Sequence, residues 1–287
     1  MKDSGTVKDI RPSSIAGTWY PGKPEILAQS VDEYLNKRTP ETVPGEIYGI
    51  IVPHAGHQYS GHVAAHAFNQ LRNLSPEFVV IISPIHTPGP GQIVITGHHA
   101  YETPLGIIPV SHAHVLKIEE RLEGEHGIMI ENVRFDSEHS LEIELPFLQR
   151  SLAEPFSLIP IMVRDQSSKT IEILGHCLAA IMEKDSVIFL ASSDLSHFYP
   201  EESAQRYDKE VLMEIEAFNP RGVIEAEEEG RGFACGRGAI AALLWATRDL
   251  GANRAEILYH ATSGEVTSDY SSVVGYGAAV IYRQPTT

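Results

Sequence analysis

Apolar residues along this chain alternate between short continuous runs and stripes spaced three or four residues apart. The continuous runs, rich in β-branched residues, predict buried strands at 49–52, 78–83, 156–163 and 187–191. The stripes predict amphipathic helices at 24–36, 61–74, 168–182, 200–217 and 239–250. Further strands are expected at 92–96, 106–110, 257–261 and 272–282. This alternation favours a single α/β domain over residues 1–287, with a mostly parallel central sheet and helices on both faces.

Three segments carry more specific expectations. Residues 136–140 precede an apolar run and are typical of an N-capped helix start, which Pro146 would kink or divide. The short strands at 92–96 and 106–110 are expected to be an antiparallel addition to the main sheet. Residues 1–10 are polar and mixed in charge, so we expect them to be poorly ordered.

The composition is that of an ordinary soluble globular protein, 43% hydrophobic and 21% charged. With 22 basic and 38 acidic residues, the formal net charge of -16 argues against nucleic-acid and anionic-membrane partners. No apolar run approaches the roughly 20 residues that span a bilayer, and the N-terminus has no apolar signal region. Two cysteines imply no disulfide framework, so we expect a cytoplasmic protein.

The candidate chemistry lies where three of the predicted strands end. A proline stops each of the first two strands, and His54 and His86 follow closely. The strand at 187–191 is followed by Asp194 and His197. In open α/β sheets the carboxyl ends of the strands line the crevice where ligands bind. We therefore expect these four side chains to meet at one rim, where they would form a metal or acid–base site.

Cys235 lies in a glycine-rich loop just before a predicted helix, beside Arg237. A helix N-terminus and an adjacent cation both lower the pKa of a thiol, so Cys235 is expected to be ionised near neutral pH. Ser192 and Ser193, by contrast, lack the Gly-x-Ser-x-Gly elbow of a serine nucleophile. Ordinary structural or solvated roles are expected for the other candidates, which are His62, His66, His98, His99, His112, His114 and Cys177.

Six spaced motifs in this sequence resemble those of the Memo family, whose prokaryotic members are also called AmmeMemoRadiSam system protein B. They are Ala16-Gly17-Thr18-Trp19-Tyr20, Pro53-His54-Ala55-Gly56, Pro84-x-His86, Glu138-His139-Ser140, Ser192-Ser193-Asp194-x-x-His197 and Cys235-Gly236-Arg237. The resemblance runs from about residue 11 to residue 282. That family is similar in fold to the class III extradiol dioxygenases, which are non-haem iron enzymes. The resemblance thus implies an extradiol-dioxygenase-like fold.

The resemblance also implies a metal site formed by His54, His86 and Cys235. Beside that site it implies a catalytic pair formed by Asp194 and His197. His197 matches the acid–base histidine of the ring-cleaving enzymes. Two departures matter. A thiolate replaces the carboxylate of the two-histidine, one-carboxylate triad, and this favours Cu(I) or Zn more than a carboxylate would. Thr87 follows His86 where some Memo members carry a second histidine.

The function that the resemblance implies is a metal-dependent oxidoreductase, similar to a dioxygenase, that acts on a small-molecule or peptide substrate. Fe(II) is the favoured metal, with Cu or Zn as alternatives. Two other interpretations stay open: a non-catalytic binding module or adaptor for a peptide or small molecule, and a zinc-dependent hydrolase. The family's associations also imply radical-SAM and AMMECR1-like pathway partners.

Overall fold

The computed structural model describes residues 9–37 and 42–284. Its strands within these residues are Ile10–Arg11 (β1), Glu46–Val52 (β2), Phe78–Pro84 (β3), Ile93–Thr96 (β4), Ala100–Thr103 (β5), Gly106–Pro109 (β6), Ile130–Val133 (β7), Ser157–Val163 (β8), Val187–Ser192 (β9), His197–Tyr199 (β10), Arg254–Thr262 (β11) and Val273–Arg283 (β12). Its α-helices are Pro24–Asn36 (α1), His57–Phe68 (α2), His112–Glu119 (α3), Leu145–Ser151 (α4), Ser168–Met182 (α5), Glu201–Glu216 (α6), Pro220–Glu228 (α7), Arg237–Asp249 (α8) and Gly264–Thr267 (α9). None of these helices is both long enough and apolar enough to cross a bilayer.

Nine strands form the main sheet, in the order β10–β12–β2–β9–β3–β8–β4–β7, with β11 also paired to β12. The centre is parallel as expected, since β9 pairs in parallel with both β2 and β3, and β3 pairs in parallel with β8. The flanks are not: β12 runs antiparallel to β2 and β11, and β4 runs antiparallel to β8. The sheet is therefore mixed, because the short connection from β11 to β12 permits an antiparallel return but no parallel crossover.

Most of the predicted strand at 106–110 lies outside the main sheet, and only Val110 makes an isolated parallel bridge to Leu158 of β8. β6 forms a hairpin with β5, whose two-residue loop is too short to carry the chain back to the main sheet. The third strand of this small sheet is β1, which runs parallel to β5. Residues 1–8 lie outside the described residues. Asp9 and Ile10, however, are held, since the Asp9 carbonyl accepts a 2.8 Å hydrogen bond from His99 N, so the expectation of poor order is wrong for these two positions.

Two groups of helices cover the main sheet. In one group α2 packs on β2 and β12 and contacts α1 and α4. In the other group α8 packs on β2, β3 and β9 and contacts α5 and α7. Because α2 and α8 belong to separate groups on the same strand, they cover opposite faces, as the sequence predicts. The strands between them are almost wholly apolar and buried, as is typical of strands covered on both sides.

The predicted capped helix at 136–145 is wrong. Residues 134–141 form a loop, a single turn follows at Glu142–Glu144, and α4 begins only at Leu145, with Pro146 in its first turn. The Asp136 carboxylate, which would cap a helix, accepts hydrogen bonds from the Arg11 guanidinium at 2.7 and 3.0 Å. This long-range ion pair diverts the segment into a loop, and the loop carries Glu138 and His139 to the strand ends.

Candidate metal centre

The three strand ends meet at one edge of the main sheet. The rings of His54, after β2, and His86, after β3, lie edge to face with their centroids 5.5 Å apart. The Asp194 carboxylate, after β9, accepts hydrogen bonds from the backbone N of His54 at 2.8 Å and of Ala55 at 3.2 Å. His197 is close enough for its charge to lower the pKa of His54. His54, His86 and Asp194 therefore share one rim, and a place for His197 at the same rim stays a prediction.

His54 is fully enclosed, and both of its ring nitrogens have partners. Its Nδ1 lies 2.9 Å from Ser192 Oγ, and its Nε2 lies 3.1 Å from Cys235 Sγ. Burial lowers the pKa of His54 well below its usual value, and the neighbouring imidazoles lower it further. The ring is consequently neutral near pH 7, which is the form that binds metals.

His86 is held by the carboxylate of Glu138. Glu138 accepts hydrogen bonds from His86 Nδ1 at 2.9 Å and from the His86 backbone N at 2.6 Å. Two further backbone N–H groups, those of His139 and Ser140, donate to the same carboxylate, each at 2.9 Å. Burial acts to raise the pKa of Glu138, but the hydrogen bonds from His86 and Ser140 outweigh it and hold that pKa far below its usual range. Glu138 is thus an ionised carboxylate that leaves His86 Nε2 free to face the cluster.

His139 completes a group of three imidazoles that the sequence did not assign. Its ring stacks on that of His86, with centroids 4.8 Å apart, and lies edge to face with that of His54 at 5.5 Å. One nitrogen from each of His54, His86 and His139 lies within 4.8 Å of the others, so the group could hold a metal ion. The half-exposed indole of Trp19 packs on the outer side of His139, with ring centroids 4.2 Å apart.

Cys235 adjoins this group without being one of its three members. In a tetrahedral zinc site, a nitrogen about 2.0 Å and a sulfur about 2.3 Å from the ion lie about 3.5 Å apart. Cys235 Sγ and His54 Nε2 are 3.1 Å apart, which is within about 0.5 Å of that separation. The donors present therefore fit a metal such as Zn, Cu or Fe, and ligation by Cys235 stays a prediction.

The expected ionisation of Cys235 is wrong for the metal-free protein. Burial raises the pKa of its thiol well above the usual value, and the nearby charge of Asp194 raises it further. Arg237, which was expected to lower that pKa, instead pairs with Glu227 at 2.6 Å. Cys235 precedes the Gly236 cap of α8, so its side chain is directed into the site rather than along the helix axis.

Asp194 and His197 do not form the pair that their spacing suggests. Asp194 Oδ1 accepts the two backbone hydrogen bonds that fix the turn after β2. Burial raises the pKa of Asp194 to about 7. His197 starts the edge strand β10 and makes a hydrogen bond to the backbone of Leu195. Burial lowers the pKa of His197, so its ring is neutral near pH 7. Catalytic roles for both residues stay predictions.

The remaining candidates lie away from this centre and have the structural surroundings that were expected. His98 contacts Asp9 at 2.8 Å, and His114 lies in α3 with its ring against Phe78 at 4.5 Å. His66 stacks on Tyr259 with centroids 4.4 Å apart. Cys177 is a buried member of the apolar face of α5.

The sequence analysis missed three residues of the centre, which are Glu138, His139 and Glu144. The Glu138-His139-Ser140 motif was recognised, but it was interpreted as a helix start. The available signal was a histidine flanked by two polar residues in a segment with several acids. Only the pairing of Arg11 with Asp136, 125 residues apart, shows that this segment is a loop at the strand ends.

The fold and its strand-end cluster define an α/β protein with a candidate three-histidine metal centre. The sequence matches the family described as Memo-like protein over residues 11–280. It is 35% identical over 286 residues to a MEMO1 family protein of Methanopyrus kandleri, covering 96% of this chain and 99% of that protein. It is also 35% identical over 277 residues to a MEMO1 family protein of Nitrosopumilus maritimus, covering 94% and 98% respectively. This chain belongs to the Memo family.

One solved structure, of an uncharacterised protein from Escherichia coli K12, aligns with a TM-score of 0.49 and 13% sequence identity. The alignment covers 82% of this chain and 100% of that chain. A score this low carries no argument about fold or function, and the extradiol-dioxygenase-like fold stays a prediction.

Proposed function

We propose that this Memo family protein is a metal-dependent oxidoreductase, similar to a dioxygenase, that acts on a small-molecule or peptide substrate. His54, His86 and His139 hold the metal in this proposal, with Cys235 as an additional donor and Fe(II) as the favoured ion. One observation supports it above the others: three imidazole nitrogens lie within 4.8 Å of one another at the strand ends, with His54 buried, His139 partly buried and His86 exposed. Ser192 and Glu138 contact Nδ1 of His54 and of His86, so the other nitrogen of each ring is the candidate ligand, and that of His54 lies beside Cys235 Sγ.

The residues around the cluster have separable tasks in this proposal. A bound metal would supply Lewis acidity and, for Fe or Cu, electron transfer. His197 is neutral near pH 7 and could accept a proton from a substrate hydroxyl and return it later. Asp194 holds the backbone of His54 in place through its Oδ1. Trp19 offers a flat apolar surface beside His139 for a substrate.

Metal content and dioxygen consumption test the proposal. The protein is purified once in air and once without oxygen, and bound metals are quantified. Stoichiometric iron together with dioxygen consumption is the expected result. Absence of any bound metal would overturn the proposal and favour the non-catalytic binding module or adaptor.

A zinc-dependent hydrolase is the second candidate function. Three imidazoles with room for a water molecule are also an arrangement of catalytic zinc sites, and the three-histidine group has this composition. Stoichiometric zinc with no response to oxygen in the same experiment would favour it. For either activity we also propose a cytoplasmic location and radical-SAM and AMMECR1-like pathway partners.

A further inference from the structure

The hydroxyl group of Ser192 contacts His54 at Nδ1, the ring nitrogen on the side away from Cys235. Ser192, the last residue of β9, is fully buried. Its Oγ lies 2.9 Å from His54 Nδ1, 2.6 Å from the carbonyl oxygen of Ser140 and 2.8 Å from Glu144 Oε1. Glu144 is also buried, so no solvent screens this group of contacts.

Counting hydrogens assigns each of these three contacts. A serine hydroxyl has one hydrogen to donate and two lone pairs that accept. The carbonyl of Ser140 can only accept, so at 2.6 Å it must receive the hydrogen of Ser192. The other two partners must then donate to Ser192 Oγ. His54 therefore carries its hydrogen on Nδ1, and Glu144 carries a hydrogen on Oε1, which makes it a neutral carboxylic acid.

The opposite assignment fails on the same distances. If Glu144 were ionised, it would need the hydrogen of Ser192. The oxygen atoms of Ser192 and of the Ser140 carbonyl would then face each other at 2.6 Å with no hydrogen between them. Two buried acceptors in contact with no hydrogen between them are unfavourable, because neither of them makes its hydrogen bond.

We propose that Glu144 is a positioning residue that stays protonated and, through Ser192, fixes His54 as the Nδ1–H tautomer. The lone pair of His54 Nε2 then faces the cluster, where the thiol of Cys235 donates to it in the metal-free protein. The consequence for metal affinity rests on the proposed metal function. The tautomer itself does not, because it is a property of the metal-free protein.

The electrostatics of the loop agree with this assignment. Burial raises the pKa of Glu144 well above its usual value and outweighs the contact with Ser192, which lowers that pKa; the charge of Asp194 raises it further. Glu138, six residues earlier, accepts four N–H donors and is ionised. The loop and the turn that follows it thus carry two carboxyl groups, Glu138 and Glu144, in opposite protonation states. Each of them leads to the same result, a histidine with Nδ1–H directed away from the cluster.

Infrared and NMR measurements on the metal-free protein test the tautomer directly. At pH 7, Glu144→Gln should remove one protonated-carboxyl band from the infrared spectrum of the wild type. In protein labelled with ¹⁵N-histidine, with the His54 signals assigned by a His54→Asn variant, His54 should be the Nδ1–H tautomer. No lost band, or a His54 hydrogen on Nε2, would overturn the proposal.

Zinc affinity, measured by competition with a chelator, tests the consequence. Ser192→Ala should weaken Zn(II) binding about 10- to 100-fold, as loss of outer-shell partners of metal-ligating histidines does. Glu144→Gln should bind nearly as the wild type does, because its amide can still donate to Ser192. Ser83→Ala is the matched control, since Ser83 is a buried residue near the end of β3 whose hydroxyl has no partner among the described residues.

The two kinds of measurement separate the two claims. A wild type that binds no zinc, with His54 still in the Nδ1–H form, would contradict the metal function but support the tautomer assignment. Zinc binding that Ser192→Ala leaves unchanged would overturn the positioning role.

Discussion

His86 and His139 stack face to face, with their ring centroids 4.8 Å apart and their planes 16° from parallel. Both are tied to the Glu138 carboxylate, His86 through its ring and backbone and His139 through its backbone N. Two stacked imidazoles would repel each other if both were protonated. Burial lowers the pKa of His139, and the charge of His86 lowers it further. At most one of the two rings is therefore protonated. Alternatively, both rings are neutral and bind one metal cation between them.

The first prediction concerns Glu138, the acceptor that the two histidines share. In Glu138→Gln the amide NH₂ must face one of the four N–H donors, which leaves that donor unsatisfied at a cost of about 1–3 kcal/mol. Zinc affinity should fall about 10- to 100-fold because neither ring is held as firmly. Thermal unfolding and chelator competition measure the two effects. Glu33→Gln on the exposed face of α1 is the control, and unchanged affinity in Glu138→Gln would contradict the prediction.

The second prediction separates the nitrogen donors from the sulfur donor. His139→Ala and Cys235→Ser should each weaken metal binding by more than about tenfold while the fold stays intact, because each removes one donor. With Co(II) as the probe, Cys235→Ser should also abolish the thiolate-to-metal absorption band, whereas His139→Ala should retain it.

Two matched variants control for that comparison. Cys177→Ser changes the second cysteine, which is buried, and His176→Ala changes an exposed histidine on α5. Neither should alter the affinity or the band. A cobalt spectrum without a thiolate band in the wild type would remove Cys235 from the donor set, and full affinity in His139→Ala would remove His139.

The parts of the site that could be predicted from the sequence are those that local rules position. A proline after a β-branched run marks a strand end, and parallel strands deliver their ends to one edge, so His54, His86 and Asp194 were placed correctly. His139 follows no strand. Its position depends on contacts between residues more than 100 positions apart, and no periodicity in the sequence encodes such contacts.

The third prediction concerns the ion pairs that hold this loop. The Arg11 guanidinium is buried and bonds to Asp136 and to Glu142, the latter at 2.6 Å. Arg11→Met should destabilise the fold by about 3–5 kcal/mol, because it leaves the buried Glu142 carboxylate without its cation. Arg150→Met, which breaks an exposed pair with Asp32, should cost less than about 1 kcal/mol. Urea unfolding measures both, and equal losses would contradict the prediction.

The fourth prediction concerns His197. Because its ring is bonded to the backbone of Leu195 and is not a member of the three-histidine group, His197→Ala should keep stoichiometric metal. It should abolish any turnover found for the wild type, since the proton acceptor is lost. Metal analysis and activity assays on the same preparation decide the matter. Loss of metal from this variant would make His197 a ligand.

A titratable group outside the metal centre is expected to make stability depend on pH. His57, in the first turn of α2, packs its ring against Phe147 with centroids 4.8 Å apart. Its Nε2 lies 3.0 Å from the carbonyl of Ile143, and its Nδ1 is buried with no hydrogen-bond partner among the described residues. Burial lowers the pKa of His57 from 6.5 to about 4.

The fifth prediction follows from the sign of that shift. A folded-state pKa below the unfolded one means that the unfolded chain binds more protons between pH 6.5 and 4, so His57 weakens the fold as the pH falls through this range. At 1.36 kcal/mol per pKa unit, the loss of stability reaches about 3 kcal/mol by pH 4.

Glu and Asp residues titrate in the same range, so the contribution of His57 has to be isolated with a variant. His57→Gln keeps a donor for the Ile143 carbonyl but cannot titrate, and its stability should fall less steeply with decreasing pH than that of the wild type. Parallel slopes for the two proteins, measured by urea unfolding at each pH, would show that His57 does not carry this proton uptake.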